Sequence, residues 1–397
     1  MVRPVTTVPP ELATLVKANA DELVAFRRDL HAHPELSWAE VRTTRLLDER
    51  LVAAGLEPVA LPSGTGLLCD IGSGPRTVAL RADIDALPID DRKDVSYAST
   101  VPGVCHACGH DMHTAALLGA GLVLAELDRD GRLPGRVRLV FQPAEESARS
   151  GARAVIEAGG LRDVERIFAL HCDPHRPVGQ LGLRAGPITA SADAITVRLL
   201  GRGGHTARPH LTGDLVYALG RVITELPAAL SRRVDPRAAL SVVWGRVAAG
   251  RAVNAIPQEG EVQGTLRCLD AVAWQGAPEL VRELVAAIVS PYDVGADVEY
   301  VRGVPPVDNE PTSIELLRSA VETTEGPAAV GDTEQSLGGE DFAWYLATVP
   351  GALARLGVSP PHETRRLDLH QGLFDADERA ISIGTRVFVG AALLALG

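Results

Sequence analysis

Positive charge is the first thing this sequence is short of. Its 39 lysines and arginines face 51 aspartates and glutamates, for a net charge of −12. With no basic field to concentrate phosphate, nucleic acid and anionic membrane surfaces are not expected partners, and small molecules are. Long apolar runs are missing too. The opening residues, MVRPVTTVPPELATLVK, lack the apolar core of a secretory signal, and no stretch reaches the roughly 18 apolar residues of a membrane span. The expectation is therefore a cytoplasmic protein with no membrane partner. Cysteines are few and odd in number (Cys69, Cys105, Cys108, Cys172 and Cys268), which argues against a disulfide framework and for thiols that are buried or bind metal. The four tryptophans, Trp38, Trp244, Trp274 and Trp344, show neither a stripe nor a cage spacing, which leaves core packing as their role.

What is present is an ordinary globular composition, 46% apolar and 23% charged, in a 397-residue chain long enough for one large domain or two linked ones. Residues 11–55 carry apolar positions at helical spacing, ending at Gly55. Short apolar strands follow at 77–83 (TVALRAD), 136–142 (RVRLVFQ) and 166–172 (RIFALHC), with helices predicted over 113–128 and 150–159. This alternation predicts an α/β sheet covered on both faces. After Gly186-Pro187 the pattern changes to strand (194–200), helix (213–230), strand (239–247), strand (260–267), helix (276–290) and strand (296–302). That βαββαβ order suggests a ferredoxin-like domain. The α/β pattern resumes after Pro305-Pro306. The expected organisation is a catalytic metal-binding domain over 1–188 and 304–397, interrupted by a smaller lid or dimerisation domain over 189–303.

Several of the eleven histidines sit beside strand ends together with acids and cysteines. The densest run is Cys105-His106-Ala107-Cys108-Gly109-His110-Asp111-Met112-His113, followed at once by a Gly- and Ala-rich helix. Cys105 and Cys108 alone would suit a structural zinc knuckle or a redox pair. A knuckle needs a second close ligand pair, which this chain does not have, and a histidine-rich, glycine-broken stretch is atypical of a thiol oxidoreductase. The strand RVRLVFQ runs directly into Pro143-Ala144-Glu145-Glu146. Adjacent carboxylates behind a buried strand raise each other's pKa unless a cation intervenes. If Glu146 ligates that cation, Glu145 is left to act as a general base on water. The third strand ends in His171, and Leu369-His370 adds one more imidazole near the C-terminus. Cys108, His110, Glu146, His171 and His370 mix thiolate, imidazole and carboxylate, which suits zinc, manganese, cobalt or nickel and disfavours magnesium or calcium. Five donors exceed a tetrahedral site, so two divalent ions per chain accommodate them better. His106 and His113 are candidates for orienting the ligands, and His175 and His362 for the surface.

Nine collinear motifs resemble the peptidase M20 family, in its amidohydrolase branch: RRDLHAHPELSWAE (27–40), LRADIDALPI (80–89), CHACGHDMHT (105–114), FQPAEE (141–146), HCDP (171–174), GRGGHTARPH (201–210), NAIP (254–257), GGEDF (338–342) and DLH (368–370). The resemblance runs from about residue 20 to 395. It implies an α/β metallohydrolase domain with an inserted smaller domain that often carries a homodimer contact, and it implies the same five ligands. Asp83 matches an aspartate that supports a metal ligand, and Arg81 stands where other branches place a ligand histidine. His205 resembles a histidine that contacts the scissile carbonyl. Asn254 and Arg267 match substrate-contacting positions. The chain departs from the family pattern at Cys105, where methionine is common, and after His370, where QGLF replaces a more usual proline-containing sequence. The implied activity is metal-dependent hydrolysis of N-acyl amino acids, with acetyl, benzoyl or related acyl groups. A dipeptidase or aminopeptidase, a catalytically silent metabolite-binding member and a thiol redox protein are the alternatives.

Overall fold

A computed structural model of the chain describes residues 8–361 and 367–397. The periodic stretch at 11–55 forms two helices, α1 (Leu12–Ala32) and α2 (Val41–Ala53), because Pro34 breaks the run between them. Then come β1 (Leu67–Gly72), β2 (Thr77–Asp83), α3 (His110–Arg129), β3 (Arg136–Gln142), α4 (Gly151–Glu157), β4 (Arg166–Pro177) and β5 (Leu181–Leu183). Strands β2 and β3 fall on the residues expected from sequence. The helix after the histidine cluster begins at His110 rather than 113, which puts that imidazole in its first turn.

Further along are β6 (Ala192–Gly201), α5 (Leu215–Arg233), β7 (Ser241–Ala249), β8 (Glu259–Arg267), α6 (Ala271–Val289) and β9 (Val294–Val304). The chain closes with α7 (Pro311–Glu325), β10 (Val330–Asp332), β11 (Gly351–Ser359) and α8 (Arg379–Leu396). Contacts divide it into two compact units, one of residues 1–186, 309–334 and 344–397, the other of 187–308 and 335–343. The sequence-based organisation puts its boundaries at 188/189 and 303/304, and residues 335–343 group by contacts with the second unit.

The first unit is built on a mixed sheet in the order β1-β3-β2-β4-β11-β5-β10, with a two-residue strand at Val59–Ala60 outside β1. Strands β3, β2, β4 and β11 are parallel neighbours. One register row runs Leu139, Leu80, Phe168, Ala352, and all four side chains enter a single apolar core with α1, α3, α7 and α8. Helix α8 has the length and apolar composition to cross a membrane, but most of it is buried in that core.

On the other face of the same strands polar residues gather toward the carboxyl edge. Gln142 pairs with Asp83, Arg81 with Ala169 two residues before His171, and His171 with Arg355. The carboxyl edge of parallel strands is where an open α/β sheet places its site.

The main elements of the second unit run strand, helix, strand, strand, helix, strand. Its four strands are antiparallel in the order β7-β8-β6-β9, and α5 packs against α6. Within it Asp193 is buried and accepts from Trp274 Nε1 at 2.7 Å, the Tyr300 hydroxyl at 2.6 Å and the Gly303 amide at 2.9 Å.

Buried charge locks α1 to the start of α3. Arg27 Nε donates to Asp111 Oδ2 at 2.6 Å, and His31 Nδ1 lies 2.7 Å from the same oxygen. All three residues are almost fully buried. Burial alone would raise the Asp111 pKa, but Arg27 and His31 hold it well below the usual carboxylate range. Glu35 caps α2 by accepting from the amides of Arg42 and Thr43. We expect Arg27→Ala to cost about 3–5 kcal/mol of stability, because it strands a buried carboxylate. Chemical denaturation measures this, and an unchanged midpoint would show that Arg27 does not hold the helices together.

Candidate metal centre

Four segments bring the donors to the carboxyl edge. Gly109, with φ of +84°, turns the chain from Cys108 into α3. Any side chain there would put its Cβ 2.8 Å from Cys172 Sγ, so glycine is required on two counts. Glu145 and Glu146 follow an elbow at Ala144, whose φ of +52° is uncommon for a residue with a Cβ. The elbow is held by the Ala144 amide, which donates to Glu40 Oε1 at 2.8 Å. His171 comes directly from β4. His370, also left-handed at φ +61°, is tied to the cysteine loop by its own amide, which donates to the Ala107 carbonyl at 2.8 Å.

The five expected ligands meet. Donor atoms of Cys108, His110 and His171 lie within 4.8 Å of one another, as do those of Cys108, Glu146 and His370. Cys108 belongs to both groups. Its sulfur is 3.6 Å from His171 Nε2, and His370 Nε2 is 3.1 Å from Glu146 Oε1. Glu145 joins His110 and Glu146 in a further group of the same size.

Hydrogen bonds decide which nitrogen each imidazole offers. His110 Nδ1 faces the Asp85 carbonyl at 2.9 Å and Asp85 Oδ1 at 3.2 Å, so this nitrogen carries the proton and Nε2 points into the cluster. That Nε2 is buried and has no hydrogen-bond partner among the described residues. His171 Nδ1 donates to the Cys172 carbonyl at 2.9 Å, which leaves the Nε2 lone pair facing Cys108 Sγ. His113 differs. Its Nε2 accepts from the Cys172 amide at 2.8 Å and its Nδ1 donates to Asp83 Oδ1 at 2.6 Å, so it has no lone pair left for an ion.

The electrostatics suit a cation. Burial alone would lower the His110 pKa, yet the surrounding Asp83 and Cys108 raise it well above the usual histidine value. Surroundings that draw a proton onto a buried imidazole will hold a metal ion instead. Burial, and then the charge of Arg355, keeps His171 well below its ordinary value and therefore in the neutral, ligating form. Burial also pushes up the Cys108 thiol, a penalty that coordination removes by deprotonating it. A buried unpartnered imidazole nitrogen, a thiol and a carboxylate within one coordination radius fit the divalent ions expected from sequence.

Asp83 sits behind this cluster. It is fully buried, accepts from Arg81 Nη1 and His113 Nδ1 at 2.6 Å each, and lies 3.8 Å from His110 Nε2. Arg81 is neutralised there and also donates to Gln142 at 2.8 Å. Asp85 went unnoticed in the sequence. It accepts from Ser37 Oγ at 2.7 Å and the Glu146 amide at 3.0 Å while facing His110 Nδ1, and the only signal was a second acid two residues past a strand-end aspartate. His106 is buried, with no hydrogen-bond partner on either nitrogen among the described residues, and burial lowers its pKa to about 4. His33 Nδ1 faces the Asp29 carbonyl at 2.9 Å. His175 is exposed, and His362 lies outside the described residues.

The remaining candidates lie in the second unit. His205 and Asn254 come together there, since Ala255 pairs with His205 and the Thr206 amide donates to the Asn254 carbonyl at 3.3 Å. The His205 ring accepts the Ala207 amide at Nδ1, 3.0 Å away, which leaves Nε2–H as an exposed donor. Arg267 is not with them. It ends β8, whose other end, Glu259, follows shortly after Asn254 in the chain.

A sheet edge carrying a thiolate, imidazoles and paired carboxylates around one coordination volume defines a metallohydrolase. Residues 79–393 match the model of peptidase family M20/M25/M40, and the chain belongs to this family of amide-bond hydrolases. It is 38% identical to an N-acetylcysteine deacetylase of Bacillus subtilis over 96% of this chain and 98% of that protein. Its fold matches a dinuclear metal-binding M20 peptidase of Bacillus subtilis with a TM-score of 0.84 and 35% identity, over 96% of this chain and 99% of that one. It is also 52% identical, over 93% of its length, to a protein of Rhodococcus jostii named as a candidate glutamate–cysteine ligase, but spans only 46% of that relative.

Because Cys108 lies in both donor groups, Cys108→Ala is expected to lower bound metal below that of the parent protein. Metal analysis of purified protein measures this, and an unchanged stoichiometry would remove Cys108 from the ligands.

Proposed function

We propose that the chain is a metal-dependent amidohydrolase that cleaves N-acyl amino acids to a carboxylate and a free amino acid. The observation that carries this reading is the convergence of Cys108, His110, Glu146, His171 and His370 on one volume, with Glu145 beside it. The first candidates for substrate are N-acetyl amino acids, N-acetylcysteine among them, because 38%-identical relatives are named as N-acetylcysteine deacetylases. N-benzoyl and related acyl groups complete the class.

Two divalent ions of the zinc, manganese, cobalt or nickel type, held by the five ligands, would polarise the amide carbonyl and acidify water. Glu145 then takes the proton from the attacking water and delivers it to the departing amine nitrogen, a role that requires it to be ionised at the start of the cycle. Asp85 and the Cys172 carbonyl keep His110 and His171 in the tautomers that face the ligand volume. Asp83 serves as the charged backing of His113 and His110. His205, with Nε2–H directed outward, hydrogen-bonds the carbonyl oxygen as it gains charge. Asn254 and Arg267 contact the rest of the substrate.

Activity on a panel of N-acetyl, N-benzoyl and indoleacetyl amino acids against dipeptides tests the reading. Release of amino acid is expected to vanish on chelation and return with zinc, manganese or cobalt. Glu145→Ala should lose about 10²–10⁴-fold in kcat while retaining its metal. Dipeptide cleavage alone would move the assignment to a peptidase, and near-normal turnover by the Glu145 variant would remove it as the base.

We further infer that the protein is a cytoplasmic homodimer joined through the second unit. All five cysteines are buried and unpaired, as suits a reducing compartment. The outer edge of β7 pairs with no strand among the described residues, and Val243 and Val247 on that strand are 65% and 58% exposed. An open apolar edge invites pairing with a second copy. Val247→Asp should shift the sedimentation coefficient to that of a monomer, and an unchanged dimer would place the contact elsewhere.

A further inference from the structure

The Arg355 side chain leaves β11 beside His171. The two residues are in direct register on parallel strands, and side chains so paired project from the same face of a sheet. Arg355 is half-buried, and no carboxylate among the described residues forms an ion pair or hydrogen bond with it. On its other flank it stands opposite Gly182 of β5. A Cβ at Gly182 would lie 2.8 Å from Nη2 of Arg176, so a second guanidinium covers the strand next to Arg355. Arg176 Nη2 donates to the Asp332 carbonyl at 2.5 Å, and Asp173 stands 3.7 Å from its Nε. That Nε is buried and has no hydrogen-bond partner among the described residues. Of two guanidinium groups on neighbouring strands, Arg176 therefore has one carboxylate, Asp173, and Arg355, in register with His171, has none among the described residues.

A half-buried cation without a counter-ion is costly, and a second cation beside it adds to the cost. An anion supplied from outside relieves both. A guanidinium also offers paired N–H donors that match a carboxylate in two places, which an ammonium does not.

We propose that Arg355, backed by Arg176, is the receptor for the free carboxylate of the substrate, and so selects N-acyl amino acids over their uncharged carboxamides. This rests on the amidohydrolase reading, which supplies a substrate with such a carboxylate. Arg355 is a specificity residue, neither a metal ligand nor a proton carrier.

The test compares the metal-loaded parent protein with Arg355→Gln and Arg355→Lys on N-acetylmethionine and N-acetylmethioninamide. Arg355→Gln should raise KM for the acid roughly 10-fold or more, the loss of one charged hydrogen-bonding contact, while KM for the carboxamide, kcat and metal content stay near those of the parent. Arg355→Lys should recover part of the loss. The melting temperature should hold or rise, because the variant removes a half-buried charge with no carboxylate partner among the described residues. An equal loss on acid and carboxamide, or no loss on either, overturns the proposal. If the parent protein hydrolyses neither compound, the amidohydrolase reading fails, and calorimetric binding of the two compounds decides this inference separately. Weaker binding of the acid alone by Arg355→Gln supports the receptor, and equal binding by both proteins overturns it.

Discussion

The site depends on one buried carboxylate, Asp85, being shared three ways. It accepts from Ser37 in the loop between the first two helices, from the Glu146 amide in the loop after β3, and faces His110 at the start of α3. Burial raises the cost of its charge, and these donors lower its pKa below the ordinary aspartate value. Through these bonds Asp85 ties the imidazole of His110 to the loop that carries the carboxyl of Glu146. The same logic recurs one layer out, where Asp111 joins Arg27 and His31, and one layer in, where Asp83 joins Arg81 and His113.

Much of this was legible in the sequence because the chemistry sits where the strand pattern is strongest. TVALRAD and RVRLVFQ alternate core-facing and site-facing residues, so their ends announced both the edge and the acids that leave it. The cluster from Cys105 to His113 was legible through its density, and Glu145 beside Glu146 through the cost of placing two acids together. What stayed hidden depends on pairing between distant segments. Nothing local marks Arg355 as a neighbour of His171, since the register of β4 with β11 joins residues nearly two hundred positions apart. Nor does the composition of residues 105–113 say that His113 spends both nitrogens on the protein while His110 Nε2 has no hydrogen-bond partner among the described residues.

The left-handed residues follow the site rather than the turns. Of the six non-glycine residues with positive φ among the described residues, Trp38, Ala144 and His370 flank the donor cluster. Trp38 stacks under Arg149 and donates to Ser147 at 3.3 Å, in the loop that carries the acid pair. Strain of this kind persists only where surrounding bonds over-determine the backbone, and here the Glu40 carboxylate and the Ala107 carbonyl provide them.

Strand β11 fills the gap between β4 and β5 although it is made long after both. A ribosome that has just finished β4 still has roughly 180 residues to add before its neighbour exists, about 10–40 s at ordinary elongation rates. Throughout that interval Phe168 and Leu170 lack part of their cover, and β4 presents an open edge in the middle of the sheet. The second unit, contiguous over most of its length, can fold in the meantime. Newly made chains should therefore engage holdase chaperones during translation, and His370, the last of the clustered donor residues to be made, joins the others only after the sheet has closed.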